Sequence, residues 1–207
     1  GDPDDCDADA DNDGSDESVD SDDNNANVCS DDDGDTCDDC SNGTYDTSDD
    51  GDDFDGDGLC NDGDSEPGGT ATLSFSGATE TTIDITYTSN VAIAGFQFDV
   101  TGVTVTSATD GDMEISTANN IVVAFGFGTS LPACPDSQCA LASLVFAAEL
   151  AGATIGLDNV ILSAEYPWEI AGYGPADASI VACTNFDGDI LCDIDADDDD
   201  DNDGSAD

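Results

Sequence analysis

No side chain in this chain can carry a positive charge at neutral pH: Lys, Arg and His are all absent, while 51 of the 207 residues are Asp or Glu. A carboxylate that is crowded or buried must therefore find its counter-charge outside the chain. Nucleic acid and direct binding to anionic membrane are excluded as partners, because affinity for both comes from Lys and Arg. The same absence removes the Ser-His-Asp triad, the Cys-His pair and Schiff-base chemistry. What remains is a carboxylate pair. Glu165 and Glu169, beside Trp168, are the residues that could form one. They fall in an expected loop beside a single Trp, which is weak support for catalysis, so the chain is not expected to be an enzyme.

The acids are unevenly placed, with 28 between Asp2 and Glu66, 12 between Gly68 and Ala182, and 11 between Asp187 and Asp207. Three regions follow: 1–67, 68–182 and 183–207. The middle region is rich in Val, Ile, Phe and Ala and long enough for one independent core. The first region has few large apolar residues, namely Val19, Val28, Tyr45, Phe54 and Leu59. Nine cysteines without a histidine read as disulfides rather than zinc ligands, and place the protein outside a reducing cytosol. CDDC at 37–40 has the gap of a zinc knuckle, but it sits among hard oxygen donors with no partner pair. There is no 18-residue apolar run, initiator Met or signal peptide, so a processed, secreted form is expected.

The order inside the acidic regions is that of calcium loops. A twelve-residue loop places oxygen ligands at positions 1, 3, 5, 7, 9 and 12, with Gly at position 6 where the chain turns sharply. DADNDGSDESVD supplies Asp9, Asp11, Asp13, Gly14, the Ser15 carbonyl, Glu17 and Asp20. A second register from Asp20 uses Asp22 and Asn24, has Asn25 at the glycine place, and closes on Asp31. A third uses Asp31, Asp33, Asp35, Asp39 and Asn42, with Thr36 at the glycine place. Two more overlap: Asp46, Ser48, Asp50, Gly51 and Asp57, then Asp53, Asp55, Asp57, Gly58, Asn61 and Asp64. Near the far end, NFDGDILCDIDA offers Asn185, Asp187, Asp189, Asp193 and Asp195, and DDDNDGSAD offers Asp199, Asp201, Asp203 and Asp207. Closing residues that open the next register suggest a string of Ca²⁺ ions bridged by shared carboxylates. A disordered acidic tail would need neither the interleaved cysteines nor the glycines at fixed offsets.

VCSDDDGDTCDDCSNGTYDTSDDGDDFDGDGLCNDGD and CTNFDGDILCDIDADDDDDNDG resemble thrombospondin type 3 repeats. In that family Asp-rich loops hold closely spaced calcium ions and disulfides staple successive turns. The resemblance implies pairing of Cys40 with Cys60, Cys29 with Cys37, and Cys183 with Cys192.

In 68–182 apolar and polar residues alternate with period two. TATLSFS, TTIDITYT, GFQFDV, GVTVT, NIVVAFGF, LASLVFAAEL and ATIGLDNVILSA read as strands, which predicts an all-β fold, an antiparallel β-sandwich flanked by irregular calcium-wrapped repeats. The pattern is similar to cohesin-like and carbohydrate-module sandwiches of secreted bacterial proteins. CPDSQC at 134–139 is expected to close a small hairpin loop with a Cys134–Cys139 bond, leaving Cys6 unassigned, either free or bonded to another molecule. Tyr166, Trp168 and Tyr173 are either a sugar platform or packing residues, with packing favoured. Asn42-Gly43-Thr44 is a possible glycosylation site.

The register begun at Asp199 reaches only its ninth position, and the acids Asp2, Asp4 and Asp5 of another copy would continue it, with Cys6 nearby. The expected function is an extracellular calcium-binding structural protein, the subunit of a head-to-tail fibre whose partner is itself. The alternative is a calcium-stiffened stalk or adhesion module whose sandwich binds carbohydrate or protein.

Overall fold

A computed structural model describes residues 8–110, 113–165, 168–185 and 192–193. The chain divides into two compact units, Gly1–Pro67 and Gly68–Asp207.

The described part of the first unit contains turns and bends but no strand or helix. This follows from composition: a segment with Asp at every second place and five large apolar side chains has neither a period-two nor a period-3.6 apolar face to bury. Its buried residues are Cys29, Cys40, Cys60, Asp13, Ser15, Asp39 and Asp50.

Among the described residues the second unit is all-β, with ten strands: β1 (Thr70–Ser76), β2 (Thr82–Ser89), β3 (Gly95–Thr101), β4 (Val105–Thr109), β5 (Glu114–Ala118), β6 (Ile121–Phe125), β7 (Cys134–Phe146), β8 (Ala153–Ser163), β9 (Glu169–Tyr173) and β10 (Ala178–Ile180). The strand order is β4-β7-β2-β1-β9-β8-β3-β6-β5, with β10 on β8. β9 joins the two layers. Its first residues pair with β8 (Leu162↔Ile170) and its later ones with β1 (Thr70↔Ala171). The β1–β9 pairing is parallel and the other pairings are antiparallel, so the all-β, largely antiparallel sandwich is the expected one. Leu73, Ile83, Ile85 and Leu144 from one layer and Phe96, Phe98, Val122 and Leu162 from the other form the core. Trp168 packs against that core, and Tyr173 is exposed.

Local chemistry sets the turns. β5 and β6 are joined by Asn119 and Asn120, both with positive φ (54° and 64°), as a two-residue hairpin turn requires. The Asn120 side chain then donates to the carbonyls of Val100 and Val103 and accepts from the Val105 amide, fixing the β3–β4 connection.

Three expectations are corrected. CPDSQC is part of β7 rather than a hairpin loop. Its bond, Cys134–Cys139, is the expected one, but it staples a bulge: Tyr87 faces Cys139 and Ser89 faces Cys134, so three extra residues bow out of the ladder. A bulge tolerates Pro135 inside a strand. GVTVT is displaced: Val103 lies in a bend and β4 starts at Val105. Glu169 opens β9 rather than sitting in a loop, because Ile170 reaches the core between β8 and β1.

One outer face differs from the other. On the β8-β3-β6-β5 layer Ile161, Ile121 and Phe125 project outward, and Phe127 just beyond β6 is 84% exposed, with its ring 5.2 Å from that of Phe125, edge to face. On β1 and β2 the outward pairs are Thr72↔Thr88 and Ser74↔Thr86.

Candidate metal centre

Three of the registers fold alike, at a spacing of 22 residues: loop 1 from Asp9, loop 2 from Asp31 and loop 3 from Asp53. In each, the first Asp accepts the backbone N–H five residues on: Gly14 to Asp9 (3.2 Å), Thr36 to Asp31 (3.3 Å) and Gly58 to Asp53 (3.0 Å). The fifth-position Asp accepts from position 7: Ser15 to Asp13 (2.7 Å), Cys37 to Asp35 (2.8 Å) and Leu59 to Asp57 (2.9 Å). The neck is closed by an amide nine residues on from its acceptor: Glu17 to Ala8, Asp39 to Ser30 and Asn61 to Asp52, at 2.9, 2.7 and 2.9 Å. Position 6 is left-handed in all three (Gly14 96°, Thr36 81°, Gly58 94°). Glycine takes that conformation freely, whereas β-branched Thr36 holds it under strain. Asp193 donates to Thr184 at 3.0 Å, the same neck bond for the register that begins at Asn185.

In loop 1 each of Asp9, Asp11 and Asp13 gives one oxygen to a backbone amide, whereas Asp31 gives both, to Gly34 and Thr36, and Asp53 both, to Gly56 and Gly58. In loop 1 the Asp9 Oδ1, Asp11 Oδ2 and Asp13 Oδ2 atoms are buried without a hydrogen-bond partner, and the three carboxylates lie within 4.8 Å of one another. Asp13 is fully buried. Burial holds its carboxyl above the ordinary 3.8, and Asp11, Asp20 and Asp9 push it the same way against the lowering Ser15 amide. Asp20, at the twelfth position, is near enough to act on Asp13 electrostatically. Ser15 Oγ is also buried and unpartnered.

In loop 2, Asp31, Asp33 and Asp35 group within the same distance, and Asp33 also groups with Asp39 and Asp50. Asp39 is 1% and Asp50 7% exposed, and Asp39 Oδ1 and Asp50 Oδ2 have no hydrogen-bond partner. Asp39 Oδ2 is held by the Ser30 hydroxyl (2.9 Å) and the Asp32 amide (2.8 Å), which aims Oδ1 at the cluster. Burial raises the Asp50 pKa, with Asp35, Asp33 and Asp39 adding to the rise. Asp33 thus belongs to both groups.

The registers begun at Asp20 and Asp46 do not make this turn. Asp20 and Asp46 accept the amide two residues on (Asp22 and Ser48) rather than five, and Asn25 and Gly51 are not left-handed. Asp22 and Asn24 are exposed, and the Ser48 hydroxyl donates to Asp46 at 2.7 Å. Gly51 is glycine for another reason: a Cβ there would lie 2.0 Å from Cys37 Sγ and 2.5 Å from Cys60 Sγ. Asn42 is exposed and donates to the Asp49 carbonyl. In loop 3, Asp53 and Asp57 are exposed, Asn61 accepts from the Phe54 amide, and Asp64 accepts from the Glu66 amide. Asp187, Asp189, Asp195, Asp199, Asp201, Asp203 and Asp207 lie outside the described residues, as do Asp2, Asp4, Asp5, Cys6 and Tyr166. The head-to-tail junction expected from the sequence falls on them.

Two disulfides in the first unit differ from the implied pairing: Cys29 bonds Cys40, and Cys37 bonds Cys60. The neck bond of loop 2 between Ser30 and Asp39 brings the flanking Cys29 and Cys40 together. The Cys60 amide donates to Asp35 at 2.7 Å and sets Cys60 beside Cys37. Cys183 bonds Cys192 as implied. The Cys183 amide donates to Glu149 and the Thr184 hydroxyl to Glu80, within the second unit.

No protein-family model matches the sequence, and neither does any curated protein. Among solved structures the chain is similar to cohesin modules. One, in a type I cohesin–dockerin complex from Clostridium thermocellum, is 12% identical, with 54% of this chain and 92% of that one covered at a TM-score of 0.42. A non-cellulosomal cohesin from the archaeon Archaeoglobus fulgidus is 10% identical, covering 55% and 92% at 0.40. The cohesin module of a family 33 glycoside hydrolase from Clostridium perfringens is 6% identical, covering 55% and 96% at 0.41. These are likenesses in shape over about half of the chain, and nothing functional follows from them.

Proposed function

We propose that the protein is an extracellular calcium-binding structural module, in which ions held by the Asp-rich loops take the place of a hydrophobic core. One observation carries the reading: Asp13, Asp39 and Asp50 are buried, each keeps an unpartnered oxygen, and the chain contains no cationic side chain to pair with them. A buried carboxylate without a partner is costly, and a hard divalent cation suits an all-oxygen donor set. Asp9, Asp11, Asp13 and Asp20 hold one ion, Asp31, Asp33 and Asp35 a second, and Asp33, Asp39 and Asp50 a third. The disulfides support an oxidising, extracellular setting. Exposed carboxylates such as Asp53 and Asp57 let calcium also bridge neighbouring copies, the route to a filament.

Calorimetric titration of the metal-free chain with Ca²⁺ tests the reading. Heat with a stoichiometry above one, and loss of loop circular dichroism on adding EGTA, are expected; no heat and an unchanged spectrum overturn it. Electron microscopy with and without EGTA tests the filament, and monomers in millimolar calcium remove that part alone.

A second reading, a stalk whose sandwich docks another molecule, is favoured by the exposed Ile121, Phe125, Phe127 and Ile161. An apolar face suits a protein better than a sugar. If it holds, Phe125→Ser with Phe127→Ser abolishes any binding seen on protein arrays and leaves calcium uptake intact.

A further inference from the structure

Loops 1 and 2 share an arrangement that ligand spacing does not require. The Asp13 carboxylate, at the fifth position of loop 1, lies within 4.8 Å of both sulfurs of Cys29–Cys40, and all three residues are buried. Asp35, at the fifth position of loop 2, stands in the same relation to Cys37–Cys60. The main chain of each Asp is held as well, since the Tyr45 amide donates to the Asp13 carbonyl (2.8 Å) and the Cys60 amide to that of Asp35 (2.7 Å). Cys29–Cys40 thus straps the neck of loop 2 while forming a wall of loop 1. Bonded sulfurs are not ligands; they keep water from the back of the carboxylate.

We infer that cation binding in loop 1 and oxidation of Cys29–Cys40 are thermodynamically linked. The disulfide keeps Asp13 dry and aimed into loop 1, and an ion in loop 1 shields the disulfide from reduction. The inference rests on the calcium reading above. A dithiol reductant supplies two electrons and two protons: the S–S bond breaks, two thiols form, and the reductant closes to its own disulfide. Two thiols need more room than a bonded pair, so the wall behind Asp13 is disturbed. In the other direction, Cys29 and Cys40 are both fully buried, so a reductant reaches them only when loop 1 lifts away, an opening that a bound ion suppresses. At equilibrium, linkage makes the shift in the disulfide's reduction equilibrium on binding calcium equal to the shift in calcium affinity on oxidation. A chain made in a reducing compartment would bind calcium weakly, and oxidation outside would lock both together.

Tb³⁺ reports on the loops. Tyr45 is the only Tyr or Trp in residues 1–67; a Cβ on Gly14 would lie 3.8 Å from its Cβ, and its hydroxyl donates to Asp32 at 2.9 Å, so it can sensitise an ion in loop 1 or loop 2. The 207-residue chain is titrated with Tb³⁺, and the luminescence lost in Asp13→Asn defines the loop 1 signal. The double variant Cys29→Ser/Cys40→Ser is expected to bind at least tenfold more weakly at this site, whereas Cys134→Ser/Cys139→Ser leaves it unchanged; equal affinity in the first variant overturns the linkage. Native chain gives a measurement independent of any variant's folding: equilibrated in a dithiothreitol redox buffer, then alkylated and read by mass spectrometry, Cys29–Cys40 should show a reduced-to-oxidised ratio at least tenfold lower in saturating Ca²⁺. Equal ratios overturn the linkage. If native oxidised chain gives neither Tb³⁺ luminescence through Tyr45 nor heat with Ca²⁺, the calcium reading itself has failed.

Discussion

In the sandwich the residues removed from water are Phe98, Ile85, Leu144 and Leu162; in the loops they are Cys29, Cys40, Asp13 and Asp39. The two regions exclude water from opposite kinds of groups. Burial of a Leu or Phe side chain contributes roughly 1.5–3 kcal/mol in any buffer. Burial of a carboxylate opposes folding unless a cation arrives, so the loops depend on what is dissolved around them. On the calcium reading proposed above, one region carries its stability in its sequence, and the other draws on the solution.

The sharpest way to break this contrast is calorimetric unfolding with calcium and with EGTA. Each site adds about 4 kcal/mol to the loops at free calcium a thousandfold above its Kd, so the loop transition should collapse in EGTA while the sandwich transition stays. A sandwich transition that moved as far as the loop transition would end the comparison. Phe98→Ala sharpens it from the other side: a cost of about 3–5 kcal/mol in the sandwich, equal with and without calcium.

Asp13→Asn should change sign with conditions. In calcium it weakens loop 1 binding at least tenfold, about 1.4 kcal/mol, read by titration. In EGTA it stabilises, because a buried charge with no partner is gone. Acidity separates the regions in the same way. Burial holds Asp13 and Asp50 above 3.8, so the folded chain binds these protons more tightly than the unfolded one. Without calcium, loop stability should therefore rise as pH falls through the raised folded values toward 3.8, and drop again as pH rises through that window. With calcium the slope reverses, since protons compete with the ion. Smallest is Thr36→Gly, which relieves the left-handed strain at φ 81° and should add about 1 kcal/mol to the loops in a melt.

Period-two runs made β1, β2, β3, β6 and β8 legible, because each presents an apolar face to the core. β5 carries only one large apolar residue, Ile115, and β10 is three residues long, so neither offers a period to read. The three loops could be read where Asp at positions 1, 3 and 5 meets a left-handed sixth residue. Composition misled at Asn25 and Gly51, where Asp content is high but the turn is absent, and at Gly51 the disulfide explains the glycine better. The pairing of four cysteines depends on which necks close, and that is set by backbone bonds such as Asp39 to Ser30 rather than by spacing along the chain. A 22-residue spacing, visible once Asp9, Asp31 and Asp53 are aligned, was the signal that separates the registers that turn from those that do not.

Asp33 faces two clusters at once, one with Asp31 and Asp35 and one with Asp39 and Asp50. If both clusters hold an ion, as proposed, the two cations repel one another across that shared carboxylate, and the first to leave makes the second harder to remove. Such a module would shed its calcium in steps over a broad span of activity, behaving as a dial rather than a threshold.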